Sequence, residues 1–444
     1  MNPHQSERGQ GRVSALPFAP VCEQSRLLRE AVEAADRHID QYGNAYDETA
    51  AGCNRFRKAT RTLFAFTITS VCTTRPDQMS STNSPPIRTG PKILVIRRDN
   101  IGDLILTTPL IRALRERYPE AWIGALVNSY NARVLEANPD LDEVFIYTKA
   151  KHRGSASVWS AYWSTISLIF RLRSLHVDIA ILASPAASSK ARMFARRINA
   201  KTIAGFGEST SPGYGLTAGG AGPLHEVEEA FRIAPLFGIE GPPPRTAVFA
   251  NDREVASARS QIAKSLPRNS TLIGVHISAR KVNQRWPAER FVEFLLKLRE
   301  RRPELAFVLF WSPGESDNPN HPGDDAKAHQ ILEQLGNFPI MPFPTIALSD
   351  LFAGLAVCEQ VICSDGGAMH AAAALGKPIL CFFGNSDAGR WHPWGVPYQL
   401  IQPPSEDVSD ITVAEALDKF WELQKKYVVR SNRQSIEPFR RECR

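Results

Sequence analysis

Asp103 closes the segment Arg97-Arg98-Asp99-Asn100-Ile101-Gly102-Asp103, which directly follows the short apolar run Lys92 to Arg97 (KILVIR). A carboxylate placed there, where a strand gives way to a helix, can take a proton from an attacking hydroxyl. It can equally help the helix start, because acidic groups favour helix N-termini. Thr108 before Pro109 offers a rival helix start, so the cap does not require Asp103. A second segment, Ser364-Asp365-Gly366-Gly367-Ala368-Met369-His370, follows another short apolar run and opens an alanine-rich stretch. Paired glycines let a phosphate approach the backbone, and the N–H groups of a helix start can hold it. The plainer readings are an ordinary strand–helix turn, with Asp365 as a cap and His370 in the core. A third segment, His276 to Pro287, clusters Arg280, Lys281 and Arg285. Such cations can neutralise a departing diphosphate, or they can form a solvated basic loop with Trp286 packed beneath it. A fourth, Phe383 to Asp387 with Arg390-Trp391-His392-Pro393-Trp394-Gly395, can wall a sugar or nucleotide pocket or serve as an aromatic corner.

The elements that must carry these segments alternate. Strands are expected at Lys92–Arg97, Trp122–Val127, Glu143–Tyr147 and Val177–Leu182. A helical pattern runs to Arg117, with further helices at Asn131–Asn138, Ala156–Leu175 and Lys190–Ile198. A helix over Leu224–Phe237 precedes Gly238 to Arg245, which carries three consecutive prolines and reads as a domain boundary near residue 243. The rhythm restarts with strands at Leu272–Ile277, Ala306–Trp311, Gln360–Cys363 and Pro378–Phe383. Helices are expected at Pro287–Arg301, Asp325–Leu335, Leu348–Val357 and Ala368–Leu375, with a last one at Val413–Tyr427. Alternation of this kind predicts βαβ units and parallel sheets. Ligands then bind beyond the carboxyl ends of the strands, which places candidate chemistry in the loops after Arg97, Ile277, Trp311 and Cys363.

Residues 1–90 lack this rhythm. They hold one candidate helix, Glu23–Tyr42, and then Ser/Thr/Pro-rich text. Met79 is a second candidate start, beside the reading of a disordered extension. The expected organisation is 1–90 as that extension, then domains over 91–242 and 243–412, and a helix with a polar tail over 413–444.

At 444 residues the chain is too long for one ordinary core. A net charge of +7 suits an anionic partner, whether nucleotide, phosphorylated glycan or acidic membrane surface. No basic block with interleaved aromatics appears, so no nucleic acid is expected. The seven cysteines form no Cys-x-x-Cys pair, which points to a reducing compartment. No stretch of about 18 apolar residues exists, and Arg61 to Thr73 is internal and threonine-rich, unlike a leader. The histidines show no His-x-x-x-His, so neither a metal nor another cofactor is expected. The dinucleotide fingerprint, the Walker loop and the nucleophile elbow are all absent.

The order of the segments resembles glycosyltransferase family 9, the ADP-heptose:lipopolysaccharide heptosyltransferases. Lys92 to Arg97, Asn100 to Asp103 and Thr108-Pro109 resemble its amino-terminal motif. Arg285-Trp286-Pro287 with Phe291, Ser364 to His370, Ala372 to Pro378 and Phe383-Gly384 resemble its carboxyl half. The likeness spans roughly residues 91 to 428. It implies a GT-B fold: α/β, with two facing Rossmann-like domains, an interdomain cleft, and a final helix that often crosses back to the first domain. The acceptor side would be 91–242 and the donor side 243–412. The resemblance further implies Asp103 as catalytic base and Asp365, Gly366, Gly367 and His370 as donor-binding loop. Arg280, Lys281 and Arg285 would be phosphate-neutralising groups. The partners implied are a nucleotide-sugar donor, ADP-heptose, and a lipopolysaccharide core or other glycan acceptor, in the cytoplasm. The aromatic helix near Trp159, Tyr162 and Trp163 could rest on the inner membrane, against the plainer reading of a core helix. Two departures touch the donor side: Gln284 stands where many members have Lys, and Gly366 where many have Ser or Thr. A nucleotide-sugar epimerase on a similar fold and a non-catalytic nucleotide-sugar-binding paralogue are the alternatives.

Overall fold

The structure is a computed structural model and describes residues 90–147, 158–184, 189–207, 215–219, 222–318 and 322–434. The expected helix at Glu23–Tyr42, the Met79 start and the side chains of Trp159, Tyr162 and Trp163 lie outside the described residues.

Six strands, β1 (Lys92–Ile96), β2 (Trp122–Asn128), β3 (Glu143–Tyr147), β4 (Ile179–Leu182), β5 (Thr202–Phe206) and β6 (Leu216–Ala218), form one sheet. Its order is β3-β2-β1-β4-β5-β6 and every pairing is parallel. A second set comprises β7 (Thr271–His276), β8 (Leu305–Trp311), β9 (Ile340–Pro344), β10 (Gln360–Ser364), β11 (Ile379–Phe382) and β12 (Tyr398–Ile401). It repeats the plan as β12-β11-β10-β7-β8-β9, again all parallel. Each sheet is therefore the doubly wound dinucleotide-binding arrangement. Its strand order reverses between β1 and β4, and between β7 and β10. The crevice at such a reversal, past the strand ends, is where ligands enter.

Burial on both faces explains the apolar runs. All seven residues of β8 are buried, as expected of a central parallel strand. In β1, Ile93 and Val95 face one core cluster while Leu94 and Ile96 face another. The Leu94 cluster includes Leu126, Leu172 and Phe194. On the far face of the second sheet, Trp286, Phe294, Phe307, Phe382 and Phe420 pack together. The cluster that Ile93 and Val95 face is continuous through both sheets, from Leu114 to Val308, Phe310 and Met369. The helix Gly367–Ala374 packs directly on the helix Ile101–Ile105.

Several expectations need correction. The pattern from Ile101 to Arg117 is two helices, Ile101–Ile105 and Thr108–Arg117. Pro109 cannot donate to a carbonyl one turn back, so a continuous helix fails there. Leu224–Phe237 likewise divides into Glu226–Phe231 and a 3₁₀ turn, Ala234–Phe237, that contains Pro235. Asn131–Asn138 shortens to a 3₁₀ turn, Ala132–Val134. There the Asn128 side chain accepts from the backbone of Tyr130 and Asn131, competing with helix formation. Unanticipated are the edge strands β6, β9 and β12, the interior strand β5, and the helix Asp252–Ser265. β9 carries Pro342 and Pro344, which an edge strand tolerates. The helix buries only Ala258 and Ile262 and so has a thin apolar stripe.

The helix Val413–Gln434 lies on β11, β12 and the helix Ala288–Arg301. Its Ala416, Phe420 and Leu423 join the second sheet's core. No helix among the described residues is long and apolar enough to cross a membrane.

Candidate active site

The chain leaves β1 at Ile96 and turns through Arg97–Asn100 into the helix Ile101–Ile105. Asn128 pins this turn by donating to the carbonyls of Arg98 and Asp99 at 2.9 and 3.0 Å. Asp103 does cap its helix. Its Oδ2 accepts from the backbone N and the side-chain Nδ2 of Asn100, both at 2.9 Å. Its Oδ1 accepts from Arg97 Nη2 at 3.1 Å. The rival start at Thr108 belongs to the next helix, so both expected starts exist. A carboxylate offers about four acceptor sites, and three are used here, so an acceptor hydroxyl can still be met.

Arg97, buried beneath this turn, gathers three carboxylates. Its Nη2 also donates to Glu226 Oε1 at 2.8 Å, its Nε lies 3.1 Å from Asp99 Oδ2, and its Nη1 donates to the Ala183 carbonyl. Glu226 in turn receives Arg390 from the second half. Nε and Nη2 of Arg390 reach Oε2 at 3.0 and 2.7 Å.

Opposite stands the turn after β10. Asp365 N donates to the Phe382 carbonyl at 2.9 Å, holding the loop against β11. Gly366 takes φ 154° and ψ −169°, a region open to glycine and strained for other residues. The eight-residue helix Gly367–Ala374 begins next, with its first N–H groups at the strand ends. His370, one turn along, is buried against the first half. A β-carbon on Gly102 would sit 2.6 Å from His370 Cδ2, so only glycine permits this approach. Burial holds the His370 imidazole below its ordinary pKa, against the pull of the Asp365 and Asp103 carboxylates. Its Nδ1 is buried with no hydrogen-bond partner among the described residues.

The basic segment occupies the turn after β7. Gln284 is buried, and its Nε2 donates to Asp365 Oδ2 at 2.8 Å and Ser386 Oγ at 2.9 Å. Lys281 Nζ meets Asn385 Oδ1 at 3.3 Å. Arg285 turns aside: its Nε donates to the Ala279 carbonyl at 2.9 Å and its Nη1 lies 3.6 Å from Asp324 Oδ1. Arg280 is exposed, and its charge favours ionisation of Tyr130 on the first half, against the burial that raises that phenol's pKa. Trp286 is a packing anchor, buried among Phe291, Phe294 and Phe382.

The fourth segment is mainly structural. His225 stacks on Trp394 with ring centroids 4.7 Å apart and meets the tilted ring of His392 at 4.4 Å, and Trp394 Nε1 donates to the Pro244 carbonyl. Its Trp391 nonetheless meets His370 edge-on at 6.3 Å.

Sequence reasoning did not single out Arg97, Glu226, Arg390, Asp324 or Lys327. Asp324 is buried with Oδ2 unpartnered among the described residues, and burial raises its pKa. Burial pushes Lys327 down to about 8 while its Nζ donates to the Ile277 carbonyl at 3.1 Å. Arg97 and Arg390 lay inside quoted segments without a role of their own. The others are joined only by contacts between distant parts of the chain. One carboxylate able to accept a proton thus faces a glycine turn, a helix start and flanking cations able to hold an anion.

Known proteins are similar to this chain in sequence and fold. Lipopolysaccharide heptosyltransferase 3 of Escherichia coli (strain K12) is 24% identical over 319 residues, 66% of this chain and 82% of that protein. A family 9 glycosyltransferase from Veillonella parvula DSM 2008 shares the fold with a TM-score of 0.65 at 20% identity, covering 76% of this chain and 98% of that one. The E. coli heptosyltransferase WaaC with ADP does so with a TM-score of 0.60 at 18% identity, covering 74% and 99%. The model of glycosyltransferase family 9 (heptosyltransferase) matches residues 165–415, more than half of the chain. With two doubly wound sheets meeting at Gly102 and His370, this chain is a glycosyltransferase and belongs to that family.

Proposed function

We propose that the chain transfers heptose from ADP-heptose to a lipopolysaccharide core, with inversion, in a single displacement. Asp103 takes the proton from the acceptor hydroxyl as that oxygen attacks the anomeric carbon. The bond to the diphosphate breaks, and ADP leaves against the amides of Gly366 and Gly367 and the charges of Arg280 and Lys281, with Arg285 held aside by Ala279 and Asp324. Asp365 and His370 shape the donor turn. In this reading 91–242 is the acceptor side and 243–412 the donor side, and the reaction belongs to the cytoplasmic face of the inner membrane. The observation that supports it is the approach of Gly102 to His370, which brings the turn that carries Asp103 and the helix that follows Gly366 together.

The test is a thermal-shift panel on the full chain with ADP, UDP, GDP and ADP-heptose. A ligand at 100 times its Kd stabilises by about 2.7 kcal/mol. Selective stabilisation by the two adenine compounds is expected. Selectivity for UDP or GDP would overturn the donor, and release of a rearranged sugar from donor alone would identify an epimerase.

A further inference from the structure

Arg97 Nη2 is shared between two carboxylates, Asp103 Oδ1 at 3.1 Å and Glu226 Oε1 at 2.8 Å. Arg97 and Glu226 are each only 2% exposed. Burial of a carboxylate with too little compensation is costly, so Glu226 competes with Asp103 for the same guanidinium unless another cation serves it. That cation is Arg390, on the short helix Ala388–Trp391 after β11, and both of its contacts converge on Glu226 Oε2. Three segments far apart in sequence, at 97, 226 and 390, thus meet in one chain of charges. Its far end comes from the loop whose Trp391 touches His370.

We propose that Glu226 and Arg390 are positioning residues for Asp103. With Arg390 serving Oε2, Glu226 needs Arg97 only at Oε1, so Arg97 Nη2 can be shared with the Asp103 carboxylate and orient it. When the halves part, Arg390 is withdrawn and Glu226 draws Arg97 off Asp103. The base is then aligned only while the donor side is docked, which limits proton transfer to the assembled site. This inference rests on the assignment of Asp103 as base.

The experiment uses full-length enzyme, with turnover read as ADP release from ADP-heptose in the presence of the lipopolysaccharide acceptor. E226Q presents an amide NH₂ to one of the two arginines. It is expected to lower kcat about tenfold or more while donor KM stays within about twofold. R390M is expected to do the same. R390K should recover most of the loss, because one ammonium can reach the single oxygen that Arg390 contacts. A merely structural pairing would lower Tm without this split of kcat from KM. On a D103N background E226Q should add little, since it acts through the missing carboxylate. Wild-type kcat in both E226Q and R390M, or equal losses with and without Asp103, overturns the proposal. If E226Q fails to fold, the comparison of R390M with R390K decides, because the Arg390 side chain is 43% exposed and leaves the core intact. A D103N enzyme with normal turnover would refute the base assignment itself, an outcome distinct from an inactive D103N beside an unaffected E226Q.

Discussion

Asp103 combines a cap with a candidate base, and the two roles separate on substitution. Asp103→Asn keeps an oxygen for the Asn100 amide but turns an NH₂ toward Arg97, so Tm should fall modestly while ADP binding changes little. Turnover should fall about 10²- to 10⁴-fold, the usual worth of a positioned base; initial rates beside an ADP titration would show whether it does. Gly102 tests the facing side chain. In Gly102→Ala the new methyl group would sit 2.6 Å from His370 Cδ2, and overpacking of that kind costs about 1–3 kcal/mol. A lowered Tm together with lost turnover is expected, and a variant with an unchanged Tm would argue against so tight a contact. Both residues were visible in the sequence as chemistry-bearing types after a strand. Their approach to His370 was not, because some 270 residues of chain close the contact.

At the scale of elements, the turns after β7 and β10 are tied by a single side chain, Gln284, which donates to Asp365 and Ser386. Gln284→Leu would leave the Asp365 carboxylate without this buried donor, at a cost of about 1–3 kcal/mol. ADP affinity should drop by about tenfold on that account. Gln284→Lys keeps donors for both oxygens and should retain binding; calorimetric titration of the pair with ADP would separate the cases. Equal affinities would mean that the tie does not shape the donor turn. The central strands could be read from apolar runs, since burial on both faces demands them. The unanticipated strands are short: β9 carries two prolines and, like β6 and β12, is partly exposed at a sheet edge, while the buried β5 is a brief run broken by Gly205.

At the scale of the whole molecule, the two halves also meet through His225. Its Nδ1 accepts from Val227 N at 3.1 Å and its Nε2 lies 2.9 Å from the His392 carbonyl, so the neutral ring donates at Nε2. Burial pushes His225 down to about 4, and His276 also to about 4, the latter helped by the Lys327 charge. An unfolded chain takes up these protons near pH 6.5, whereas the folded one resists them until about 4. The unfolded state therefore binds more protons in that window, and stability falls as pH drops from about 6.5 toward 4. Above it, the contribution is fully present. Tm measured between pH 7 and 4.5 should decline, and His225→Gln should be less stable at pH 7 but flatter across the range. An equally steep decline in the variant would remove His225 from the account.

The sequence by itself determined the class of each half. Buried parallel strands need continuous apolar runs, and glycine, aspartate and cation clusters at their ends could be placed without coordinates. It also carried the family, because four short motifs in a set order are distinctive where each alone is weak. Only the tertiary structure decided which charges face one another. Glu226 sits in the first turn of a short helix, and Arg390 in a loop that reads as an aromatic corner. Neither position has local periodicity or spacing that reports a partner more than a hundred residues away. Their meaning arises from the packing of two sheets, which excludes water and makes each buried charge depend on the next.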